Sequence, residues 1–167
     1  MKNNLPLALF VLIEILIVAF ICLTANALPL NIANHFYGAG FPNGYQSKSA
    51  YLYFMIALAA GIPALIVAPL WLNYDPLIRN INIPNKDYWL TEQRKAHTLQ
   101  KLKNHMIYLG ILLYVFIAYI HWLLIKANSM NPAQLPAAEF YLGLSLFIFC
   151  TILWGLRLIL TFKKISQ

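Results

Sequence analysis

Charge is what this sequence has least of. Five acidic residues and 12 Lys and Arg in 167 positions leave charged side chains at 10% of the chain, where a soluble domain carries about 25%. Water is therefore not the expected solvent for most of it. Cysteine is almost absent. Cys22 and Cys150 each lie inside an apolar run, with no CxxC and no Cys/His cluster at metal spacing, and read as small buried hydrophobes. The histidines supply no H-x(3)-H pair, since His97 and His105 would stand roughly 80° apart around a helix. A Walker loop, a dinucleotide fingerprint, a G-x-S-x-G elbow and a D-x-D pair are missing too. No cofactor, metal or catalytic residue is implied, and an enzyme is not expected.

What fills the chain instead is hydrophobic sequence, 61% of all residues. It gathers into four runs, at about 5–28, 50–72, 106–125 and 140–162, each long enough at roughly 1.5 Å per residue to cross a hydrocarbon core of about 30 Å. The expectation is an all-α membrane protein, one domain over 1–167 with four transmembrane helices. Lys2 before the first run and Ala25-Asn26-Ala27 at its end resemble a signal peptide. The run exceeds the roughly 7–15 residues of a signal core, so a retained helix is expected. Pro63 should kink the second helix and so calls for neighbouring helices around it.

The net charge of +7 is a topology signal; no nucleic acid is implied. Lys2, the 73–105 connection and the tail hold ten Lys and Arg, while Lys48 and Lys126 alone lie on the other side. Positive residues stay cytoplasmic, which places both termini inside. Tyr45, Tyr51, Tyr53, Trp71, Trp89, Trp122 and Tyr141 lie near the run ends, as interfacial aromatics do.

Two connections have character. The outer one, 28–48, carries Gly38, Gly40, Gly44 and Pro42 among four aromatics, which predicts an ordered loop, either a cap over the bundle or a recognition surface. The inner one, 75–105, holds an extended piece and turn, then a helix capped by Thr91 with Glu92 in its first turn. Ala96, Leu99, Leu102 and Met106 recur at helical spacing opposite basic residues, predicting an amphipathic helix that rests on anionic lipid or docks a partner.

On these stretches the chain resembles a known group. Leu28, Pro29, His35, Phe36, Gly40, Pro42, Gly44, Tyr45, Ser47 and Lys48 fit the pattern L-P-x(5)-H-F-x(3)-G-x-P-x-G-[YW]-x-[SD]-K. It resembles the small bacterial membrane domain of unknown function found at the N-terminus of Sdp-type immunity and signalling proteins. Asn82-Ile83-Pro84-Asn85-Lys86-Asp87-Tyr88-Trp89-Leu90 is similar to a stretch in uncharacterised bacterial relatives. The resemblance covers roughly 5–105 and implies the bacterial cytoplasmic (inner) membrane. Some such proteins protect against a secreted toxin and hold a regulator at the membrane; the longer ones have additional spans.

Chemistry-bearing side chains inside the runs are few. Glu14 would lie roughly 14 Å from the inner interface, where a carboxylate costs about 2.5–3.5 kcal/mol unless paired or protonated. Arg157, roughly 8 Å deep from the same side, is the candidate partner. His121 reads as a hydrogen-bonded helix contact. The expectation that follows is a non-catalytic accessory or sensing protein. It would contact membrane lipids and either another membrane protein or a second copy of itself. Candidate recognition residues are His35, Phe36, Gly40, Pro42, Gly44, Tyr45 and Lys48 outside, with Asn82, Pro84, Asp87, Tyr88, Trp89 and Arg94 inside. A small proton-linked transporter using Glu14 is the alternative, and a lipid-modifying enzyme a more distant one.

Overall fold

The computed structural model describes residues 4–74, 78 and 80–163. Lys2, Asp75, Arg79 and Lys164, which entered the orientation and segment expectations, lie outside the described residues. The first helix, α1 (Leu5–Thr24), runs into a 3-10 turn at Ala25–Ala27. Two strands follow, β1 (Asn31–Phe36) and β2 (Pro42–Ser47), then α2 (Lys48–Trp71), a single turn α3 (Lys86–Trp89), α4 (Glu92–Asn128) and α5 (Ala137–Lys163). Among the described residues α1, α2, α4 and α5 are long and apolar enough to cross a membrane.

Two features differ from the expectation. The fold is not purely helical, because the 28–48 connection holds an antiparallel hairpin in which Ile32 pairs with Gln46 and Ala33 with Tyr45. Turn chemistry decides this locally. Gly40 takes a φ of +82°, a conformation open to glycine at little cost, and Gly44 sits opposite His35 where an added Cβ would stand 2.9 Å from that side chain. The third span and the basic helix are also one uninterrupted helix of 37 residues, since no proline lies between Glu92 and Asn128. Its Thr91 hydroxyl bonds back to the Tyr88 carbonyl and does not cap it.

α4 is the centre of the bundle, with α1, α2 and α5 packed on it and α1 also against α2. α2 buries Tyr51, Met55, Ala59, Pro63 and Val67, a stripe at helical spacing that turns Pro63 toward its neighbours. At Gly110 the absent side chain lets Phe10 of α1 close on α4, and Phe10 packs against the Tyr114 ring with centroids 5.2 Å apart. α5 approaches through Gly143, which lies against the Tyr119 ring, and through Phe116 stacked on Phe147 at 4.2 Å. α2 ends where Asn73 turns left-handed, φ 53°, a common helix stop.

Candidate functional site

The hairpin is fastened to the bundle by its backbone. The Asn128 side chain, at the end of α4, accepts from the Ala33 N–H at 2.8 Å and donates to the Ala33 carbonyl at 2.9 Å. An amide thus occupies the open edge of β1 in the manner of a third strand, satisfying groups that an edge leaves unpaired. At the turn the Leu135 N–H donates to the Gly40 carbonyl at 2.8 Å, tying the hairpin to the α4–α5 connection. Lys48 spends its ammonium on the Leu28 carbonyl, 2.9 Å away, and His35 Nδ1 bonds Asn43 within the hairpin. Phe36 is half-buried beside the helices. Exposed are Tyr37 and Tyr45, 53% and 56% accessible, with Phe41 and His35. Gly40, Gly44, Pro42 and Lys48 therefore shape the hairpin, while Tyr45 and His35, joined by Tyr37 and Phe41, form its outward surface.

Beneath it lies a buried polar node that joins three helices. His121 of α4 is wholly buried, with Nδ1 2.7 Å from the Tyr51 hydroxyl of α2 and Nε2 2.9 Å from the Thr24 hydroxyl of α1. Thr24 already donates its proton to the Phe20 carbonyl at 2.6 Å. Its oxygen must then accept from Nε2–H, which leaves Nδ1 to accept from Tyr51. The network closes with a neutral imidazole, an arrangement without charge and suited to an apolar interior. His121 is a hydrogen-bonded helix contact. Tyr51, expected at an interface, is part of this core, and only 1% accessible.

The 82–90 motif folds back on α5. Trp89 is buried and its indole N–H donates to the Phe162 carbonyl at 2.7 Å. Asn85, left-handed at φ 53°, donates to the Lys163 carbonyl at 3.0 Å. These two residues bind successive backbone carbonyls of α5 and hold the 82–90 segment against it. Thr98 of α4 donates to the Trp89 carbonyl at 2.8 Å and closes the clamp. Arg94 stacks over Tyr88, 4.0 Å from the ring centroid, while Asn82 and Asp87 are exposed and Pro84 is half-buried. Trp89 is therefore not an interfacial aromatic. The buried stripe of this part of α4 is Thr98, Leu102 and His105, with Ala96 turned outward.

Glu14 and Arg157 do not meet. The Glu14 carboxylate lies within electrostatic reach of the Tyr114 hydroxyl, which makes no well-formed hydrogen bond. Arg157 sits on α5, which rests chiefly on α4, with its guanidinium 5.7 Å from the Tyr108 ring centroid. The expected pairing failed because depth along the membrane normal is readable from sequence but the order of helices around the bundle is not. An ion pair joins Lys126 to Glu139 at the other end of α4 and α5. Among the described residues no cluster of His, Cys, Asp and Glu could hold a metal.

Asn128, Thr24 and Thr98 went unnoticed in the sequence, and Asn85 entered only as one member of the 82–90 stretch. Asn128 alone carried a signal, as a polar amide closing an apolar run. Four helices long and apolar enough to cross a membrane, with a hairpin stapled to them, fit a multi-pass helical membrane protein. No family model, curated protein or solved structure matches the chain.

Proposed function

We propose that the chain is a non-catalytic accessory or sensing protein of the bacterial cytoplasmic membrane, with both termini inside, and that it binds a partner protein or envelope ligand through the outward face of the hairpin. One observation carries the reading. A short hairpin is held by Asn128 and Leu135 on its backbone groups while Tyr37, Phe41 and Tyr45 remain exposed. Aromatic anchors on a preorganised backbone lose little freedom on binding, which is where interface energy concentrates. The resemblance of residues 28–48 to a bacterial membrane domain supports the setting, and the distribution of Lys and Arg supports the orientation. The inner segment is a weaker contact surface, because Trp89 and Asn85 are already engaged with α5.

A photo-crosslinking amino acid at Tyr45 or Tyr37, in cells, tests this. One dominant protein adduct is expected from those positions and none from Tyr53, a highly exposed position on the wall of α2. Identical patterns from all three would remove the hairpin as the binding surface. The transporter reading rests on Glu14, a carboxylate within the apolar helix α1. It ranks second because the grooves flanking α5 and α2 do not reach Glu14.

A further inference from the structure

We infer that the inner end of the α4–α5 interface is a binding site for one anionic phospholipid, its phosphate held between Arg157 and Lys101 and an acyl chain lying along α5. Arg157 is exposed among the apolar neighbours Leu153, Leu156 and Leu160 of α5. Among the described residues no carboxylate pairs with Arg157 or Lys101. A cation at the margin of hydrocarbon is costly unless an anion or water meets it, and Glu14, the acid nearest in depth, is turned toward Tyr114.

The surroundings have the features of a headgroup site. Lys101, His105 and Tyr108 follow at four- and three-residue spacing along one stripe of α4, and Arg157 and Lys101 both lie within electrostatic reach of His105. The Lys101 ammonium lies over the Trp89 ring, 5.0 Å from its centroid, so two positive charges from two different helices flank the His105 position. Tyr108 is 53% accessible beneath the Arg157 guanidinium. Trp154, one turn earlier on α5, donates its indole N–H to the His105 carbonyl at 2.8 Å and fixes the two helices at that point. Beside Arg157 runs an open groove of about 540 Å³ lined by Leu153, Leu156, Leu160 and Thr161. A phosphodiester suits the paired cations, and a hydrocarbon chain suits the groove. Arginine binds phosphate through its planar fork, and basic residues at a membrane surface favour anionic lipid by about 1 kcal/mol each.

Native mass spectrometry of the full chain, delipidated in detergent and titrated with phosphatidylglycerol or phosphatidylcholine, tests the site. One phosphatidylglycerol should bind in preference to phosphatidylcholine. Arg157→Gln should weaken it about fivefold, and adding Lys101→Gln about 25-fold. Arg157→Lys should retain most of the binding, and Lys95→Gln, on an exposed position of the same helix, should change nothing. Equal binding of the two lipids would overturn the inference, as would full retention in the double variant. Displacement of the lipid by millimolar inorganic phosphate would show an ion site without a chain groove, and would overturn it too. Helix content by circular dichroism separates lost binding from lost fold.

Discussion

Asn128 holds both backbone groups of Ala33, 95 positions earlier, with a single side-chain amide. Ala33 is fully buried, so no water replaces that amide. Asn128→Ala should cost about 1–3 kcal/mol for each group left unsatisfied, read as a lower unfolding midpoint in detergent. Amide exchange in β1 should rise first. Unchanged exchange at Ala33 would show that the hairpin does not depend on this clip.

The His121 node predicts a coupling. Tyr51→Phe and His121→Leu each remove one side of the 2.7 Å bond. In a double-mutant cycle the pair should show an interaction energy of about 0.6–1.7 kcal/mol, the range of hydrogen bonds between membrane helices. Purely additive effects would mean that the ring is held by packing alone, through its stack on Tyr51 and its edge contact with Phe20.

Glycine positions separate by what faces them. A Cβ at Gly143 would run into the Tyr119 ring, which cannot swing away because its hydroxyl donates to the Glu139 carbonyl at 2.7 Å. Gly143→Ala should therefore destabilise by about 1–3 kcal/mol. Gly61 has open space where its Cβ would go, so Gly61→Ala should be neutral or slightly stabilising by helix propensity. Thermal unfolding of the two variants side by side checks the contrast; equal effects would refute it.

The proposed orientation predicts labelling. Asn43→Cys, in the hairpin, should react with a membrane-impermeant maleimide in intact cells, in a background lacking Cys22 and Cys150. Lys95→Cys should react only after permeabilisation. The reverse pattern would invert the topology.

The long apolar runs were legible because hydrocarbon demands them: each became helix, three of them within a few residues of the expected ends, while the third continues back to Glu92 through the basic segment. Gly40 and Gly44 marked a structured loop but not a hairpin, since β1 reads Asn-Ile-Ala-Asn-His-Phe and lacks a strand's usual alternation. Its backbone is also bonded by Asn128 and Leu135, which lie far away in sequence. Trp89 looked interfacial because it reads as one of the aromatics near the ends of the apolar runs. Only contact with Phe162 reveals it as core. Glu14 and Arg157 agreed in depth and disagreed in azimuth, and azimuth is set by which helices become neighbours.

One rod carries both ends of this molecule. The 37 residues of α4 extend roughly 55 Å, well beyond a hydrocarbon thickness of about 30 Å. Asn128 at one tip grips the hairpin, and Thr98 near the other grips the Trp89 clamp. A push on either surface is therefore borne by the same helix, and tilting that helix displaces both attachments at once.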